Sequence, residues 1–189
     1  MFIDKLQQFK LDCETENAKE NILVDVLSNI TLGQTIIFTQ TREKAKRLKE
    51  ILKDFEVGML IGDRNVPFAE RDRTMEEFKQ QKTRILVTTN VLARGVDALD
   101  VSLVVNFDPP VTRQGSADVE TYLHRVGRSA RFGRPGIALN FYDNQTENIL
   151  NVFEKHYSRD MKPLPLGKWD LLDGFLQDVL QSLNPVQNK

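Results

Sequence analysis

The sequence predicts an α/β fold, a mostly parallel sheet covered by helices on both faces. Short apolar runs alternate along the whole chain with longer runs of helical period. The connections between them are of normal length, which suits strand–helix–strand crossovers. One run, Thr35-Ile36-Ile37-Phe38, is β-branched and aromatic throughout, as a buried strand is. In such folds ligands sit at the carboxyl ends of the strands.

In chain order, 6–13 is short and mixed and reads as an entering strand. Thr15 can cap a helix in which Ala18, Ile22, Leu23, Val26, Leu27 and Ile30 keep helical spacing, and Gly33 ends it. After the buried strand, Thr41 caps a helix with Ala45, Leu48, Ile51 and Leu52 inward. Residues 57–61 form a second short strand, broken at Gly62. A helix over 70–79 puts Phe68, Met75 and Phe78 on one side, with Arg71 among them. Further strands are predicted at 84–88, 101–107 and 137–142, and a helix around 122–133 lies between the last two. Another helix starts at Asn144 and runs through Ile149, Val152 and Phe153. Residues 161–167 hold two prolines and a glycine and read as a linker. Beyond it, Leu172, Phe175, Leu176, Val179, Leu180 and Leu183 form an amphipathic helix. That helix either packs on its own domain or serves a partner. The division is a domain over 1–160 and a linker with terminal helix over 161–189.

Composition bounds the function. A chain of 189 residues, 40% hydrophobic and 28% charged, suits one globular domain with a sizeable core. No apolar run approaches the ~20 residues of a membrane span and no signal peptide opens the chain, so no membrane partner is expected. Cys13 is the only cysteine, which excludes an internal disulfide and points to a reducing compartment. His124 and His156 are the only histidines and neither has a metal-ligand spacing, so no metal site is expected. The net charge of −1 supplies no general field for nucleic acid, and any such binding must use a local patch.

The most informative stretch is 122–133, Tyr-Leu-His-Arg-Val-Gly-Arg-Ser-Ala-Arg-Phe-Gly. On a helix, Val119, Tyr122, Leu123, Val126 and Ala130 make an apolar stripe, with His124, Arg125, Arg128 and Arg131 on the opposite face. A solvated basic face is one reading. Phosphate recognition is the other: every long cation on this face is arginine, the residue suited to bidentate grip on phosphate. Gly127 mid-helix costs about 1 kcal/mol against alanine, which suits a close approach to the backbone.

HRVGRSARFG strongly resembles motif VI of the DEAD-box RNA helicases, HRxGRxxRxG, with Ser129-Ala130 where Thr-Gly is common. TTNVLARGVD at 88–97 resembles motif V, whose core is ARGxD. TIIFTQTR at 35–42 looks like motif IV, and VNFDP at 105–109 like the VINYDxP segment. Residues 62–71 correspond to GDxxQxxR, with Phe68 in place of the glutamine and a gap about two residues longer than usual. The resemblance covers roughly 1–160 and implies a RecA-like three-layer sandwich.

It also implies roles. Arg128 and Arg131 would be arginine fingers that bind the γ-phosphate of ATP and stabilise its charge as it transfers to water. Asp97 would accept from the ATP ribose, Gly95 would border both nucleotide and RNA, and Arg94 would order their loop. Thr89, Gly62 and Arg71 would face RNA. Thr41 and Arg42 would open a helix whose N-terminus receives an RNA phosphate. A simple cap is the other reading of Thr41, and a structural ion pair with Asp97 or Asp100 that of Arg71. His124 and Arg125 would contact an opposite domain and couple ATP to RNA. The chain has no GxxxxGK[ST] segment and no DEAD tetrapeptide. It therefore looks like the second RecA-like domain of a two-domain helicase, inactive alone, with Mg2+ held by the N-terminal RecA-like domain. The long connection VTRQGSADVET, the Thr before Tyr-Leu-His-Arg and the missing glutamine are similar to the subfamily that remodels messenger RNA–protein particles during export. That subfamily implies an export activator working with inositol hexakisphosphate, and a place in cytoplasm and nucleus, at the nuclear pore. The fragment itself is expected to be a monomer. The alternatives are a non-catalytic RNA clamp or scaffold, and a DNA helicase domain.

Overall fold

The computed structural model describes residues 4–63, 65–90, 101–130, 133–164 and 166–183. Its strands are β1 (Leu6–Asp12), β2 (Thr35–Phe38), β3 (Val57–Leu60), β4 (Ile85–Thr88), β5 (Leu103–Asn106), β6 (Gly136–Tyr142) and β7 (Lys162–Pro163). They form one sheet in the order β3-β4-β2-β5-β6-β1-β7, and each of these pairs is parallel. The helices are α1 (Glu16–Ser28), α2 (Arg42–Ile51), α3 (Phe68–Lys79), α4 (Val119–Val126), α5 (Glu147–Tyr157) and α6 (Leu172–Leu183).

Strand alternation sorts the core into two faces. Phe9, Ile37, Val87, Val105 and Leu139 point to one side, where they meet Leu23 and Val26 of α1, Ala45 and Leu48 of α2, and Leu172 and Leu176 of α6. Ile36, Leu86 and Val104 point to the other side, against Phe78 and Met75 of α3. On that side Ala138 and Leu6 meet Tyr122 and Val126 of α4 and Leu150 and Phe153 of α5. The three-layer arrangement follows: every central strand is buried from both sides.

Caps fix where the helices begin. Thr15 accepts from the Ala18 N–H and Thr41 from the Lys44 N–H, each satisfying one orphan donor of its first turn. Three departures from the sequence reading have local causes. The helix predicted from Asn144 starts at Glu147, because the Asp143 carboxylate ties the Gln145 and Thr146 N–H groups into a turn. The run read as a linker adds β7 to the edge of β1, with Phe9 opposite Lys162 and Lys10 opposite Pro163. Beyond it α6 returns to the sheet: Phe175 meets Phe9 edge-on at 5.5 Å, and the Asp173 carboxylate accepts from the Thr31 N–H and hydroxyl.

The third departure concerns the helix around 122–133. It ends at Val126, with Gly127 as its C-cap rather than a mid-helix residue. The chain then turns through 127–129 into the approach to β6. Gly136, the first residue of β6, lies against that turn, and a Cβ there would sit 1.7 Å from the Ser129 carbonyl oxygen. Glycine is therefore required at 136 by close approach.

Candidate functional site

Three loops meet at the carboxyl edge of the sheet, after β2, β3 and β4. Thr88, the last residue of β4, donates its hydroxyl to the Leu60 carbonyl at 2.6 Å, which joins the β3 and β4 ends. Lys46 of α2 pairs with Asp63 at 3.7 Å, which joins the β3 loop to the helix after β2. Thr41 and Arg42 are exposed at the start of α2, Thr89 is buried at 8% exposure, and Gly62 is half-buried. Thr41 serves as the α2 cap, so its hydroxyl oxygen is already an acceptor for the Lys44 N–H. The N-terminal turn of α2 still presents the positive end of its dipole beside Arg42.

Arg71 departs from the inward position its spacing suggested. It is half-buried in the first turn of α3, and Phe68 is 81% exposed. The helix turns Phe78 to the core instead, and the Arg71 guanidinium carbon lies 5.9 Å from the Phe68 ring centroid.

Arg125 departs in the opposite sense. Expected on an outer basic face, it is 2% exposed. Its Nε and Nη2 donate to Asn90 Oδ1 at 3.0 and 2.6 Å, and its Nη1 to Asn106 Oδ1 at 3.1 Å and the Asp108 carbonyl at 2.8 Å. The guanidinium also stands 4.9 Å over the Phe38 ring. Burial pulls its pKa down to about 9, while Asp108 and Asp118 pull it back up, so it remains a cation at neutral pH. This side chain clamps the ends of β2, β4 and β5 from within. His124, by contrast, is exposed.

Asp108 extends the clamp. Its Oδ2 accepts from the Gln40 N–H at 2.8 Å and its Oδ1 from Lys44 Nζ at 2.8 Å. Lys44 also pairs with Glu16, Glu16 with Lys19, and Lys19 with Asp143. These alternating charges line a cleft of about 610 Å³ at the carboxyl ends of β1, β2, β5 and β6. Each charge is matched by its neighbour, which suits a staple between loops.

Arg128 is buried at 6% exposure, again not on a solvated face. Its carbonyl accepts from the Val101 N–H at 3.3 Å, on the lead into β5, beside the start of β6. The turn that carries Arg128 thus lies at the amino ends of β5 and β6, away from the loops bearing Thr41, Gly62 and Thr89. Arg94, Gly95, Asp97 and Arg131 lie outside the described residues.

The profile of the helicase conserved C-terminal domain matches residues 18–133. This chain belongs to that family, as a domain of the DEAD-box class. The ATP-dependent RNA helicase DBP5 of Saccharomyces cerevisiae is 39% identical over 183 residues, 95% of this chain and 38% of that protein. The chain thus spans well under half the length of that curated relative. The structure of S. cerevisiae Dbp5 bound to RNA and ADP BeF3 superposes with a TM-score of 0.88 at 38% identity, covering 94% of this chain and 46% of that one. A variant S. cerevisiae Dbp5 C-terminal domain, bound to a Gle1 variant and IP6, gives a TM-score of 0.82 at 37% identity. It covers 93% of this chain and 99% of that one.

In DEAD-box terms, the motif IV residues Thr41 and Arg42 and the motif V residue Thr89 share one edge. Asn90 was not singled out by the sequence, yet it is where motif V is tied to motif VI through Arg125. Asp108, which the sequence marked only as part of the VNFDP segment, is the other junction. Neither role has a sequence signal, because both depend on which loops the parallel sheet brings together.

Proposed function

We propose that this chain is the second RecA-like half of an ATP-dependent RNA helicase of the messenger-RNA export type. The observation that carries the proposal is the helicase match over 18–133 lying on a parallel sheet whose carboxyl-edge loops hold Thr41, Arg42, Gly62 and Thr89 together. Those groups suit phosphates and 2′-hydroxyls of a single strand, a mode with weak sequence preference and steep salt dependence. Arg128 and Arg131 act as fingers on ATP, with Asp97 at the ribose and Gly95 bordering both nucleotide and RNA. ATP and Mg2+ are held chiefly by a second RecA-like domain, which His124 meets across the cleft, while Arg94 serves the coupling by ordering its loop. Arg125 serves this coupling from inside, by holding the motif V and motif VI segments in register.

The Dbp5 structure with Gle1 and IP6 supports a matching activator for this chain. The export-type resemblance of the sequence supports a place for the parent at the nuclear pore. RNA-stimulated ATP hydrolysis by the parent protein is the test. Arg128→Ala and Arg131→Ala are each expected to lower kcat at least about 100-fold, the scale of one lost charge-stabilising contact. A parent that binds RNA but shows no stimulated turnover would make the chain part of an RNA clamp instead. Preference for DNA strands in competition would point to a DNA helicase.

A further inference from the structure

We propose that Phe68 and Arg71 form a stacking site for a nucleobase of single-stranded RNA. The inference rests on the RNA reading above and adds a base contact to an edge otherwise made of phosphate-directed groups. Phe68 opens α3 and is 81% exposed, the most exposed large apolar side chain among the described residues. Its helix partners behave differently: Met75 is half-buried and Phe78 fully buried against the sheet. The ring has thus been left in solvent while the rest of the helix's apolar side is packed.

Arg71 is one turn further along α3, with its guanidinium carbon 5.9 Å from the Phe68 ring centroid. A cation held on one side of a ring that is four-fifths exposed leaves the other side free. Aromatic faces and arginine planes are the two surfaces on which unstacked RNA bases settle. The site also has the right address. The end of β3 is bonded to the end of β4 through Thr88, and Asp63, in the loop that leads from β3 to α3, pairs with Lys46 of α2, so α3 and its Phe68 start from the same carboxyl edge that holds Arg42 and Thr89. Phosphate contacts there carry no base information. A base seated on Phe68 would supply some, favouring purines for their larger face.

The experiment compares the 189-residue chain with its Phe68→Ala and Phe68→Trp variants on end-labelled single strands at low salt. One strand is oligoadenylate and the other has abasic ribose at every position. Phe68→Ala is expected to weaken oligoadenylate binding about tenfold, the size of one base–aromatic stack, and to leave the abasic strand unchanged. Phe68→Trp restores the affinity. Equal binding by wild type and Phe68→Ala on both strands overturns the proposal and leaves Phe68 as a protein contact. An equal loss on both strands also overturns it, since the ring would then act by positioning the phosphate groups. A wild-type chain that binds neither strand in a salt-dependent way overturns the RNA reading itself, an outcome distinct from the other two.

Discussion

Truncation of Arg125 separates its two readings, an internal clamp and an outward contact for an opposite domain. Arg125→Ala removes four hydrogen bonds. Asn90 is exposed and re-pairs with water, so its loss costs little. Asn106 Oδ1 and the Asp108 carbonyl belong to buried residues, and each unpaired acceptor costs about 1–3 kcal/mol. Relief from burying a cation offsets part of this, so a net loss of about 3 kcal/mol is expected. For a chain of 189 residues that is a fall in Tm of roughly 6–12 °C, readable by calorimetry or by urea unfolding. Arg125→Lys keeps the charge but not the fork, and should fall between wild type and alanine. An alanine variant that unfolds within about 0.5 kcal/mol of wild type would refute the clamp and return Arg125 to the surface.

Acid sensitivity is expected from the staple. Burial would raise the Asp143 pKa, but the Lys19 ammonium and the Thr146 hydroxyl outweigh it and hold the carboxyl at about 2. A depressed folded pKa stabilises above the ordinary carboxylate range and is lost as pH falls from about 4 towards 2, which urea midpoints across that window will record. Asp143→Asn should be less stable at neutral pH and flatter below pH 4. Gly136→Ala puts a Cβ into the Ser129 carbonyl and should cost at least about 3 kcal/mol by urea unfolding. Gly133→Ala meets nothing within 4 Å and should cost only about 1 kcal/mol for its positive φ. Leu176→Ala, in a fully buried position of α6, should cost about 3 kcal/mol in the same measurement, and no loss would mean that α6 leaves the sheet in solution.

The sheet was legible because its strands carry a local signal. Thr35–Phe38 is apolar on both faces and buried on both. The caps Thr15 and Thr41 were legible for the same reason, since an N-cap acts on its own first turn. What failed were readings in which helical spacing stood in for tertiary position. Arg71 shares a helical side with Phe78 but turns to Phe68, because α3 touches the sheet only through its later turns. Arg125 shares a side with His124 but is drawn inward by Asn90, Asn106 and Asp108, which come from elsewhere in the sequence. A guanidinium on a helix facing neutral oxygens at strand ends looks, in one dimension, the same as one facing water.

The loops that carry Thr41, Gly62 and Thr89 and the turn bearing Arg128 lie near opposite ends of the central strands, and their connection runs through two residues. Asp108 holds the Gln40 N–H and Lys44 with its carboxylate and Arg125 with its carbonyl. Arg125 sits one turn before Arg128 and also holds Asn90 in the motif V segment. In the proposed RNA mode, a shift of the α2 N-terminus would load the same bonds that position Arg125. Spatial connection alone does not establish coupling, whereas a double-mutant cycle does. Asp108→Ala and Arg125→Met, singly and together, should give an interaction free energy of about 0.5–3 kcal/mol in urea unfolding. Additive losses would mean that the β2 loop and the Arg125 clamp respond independently, and that any link between RNA and ATP in this domain takes another route.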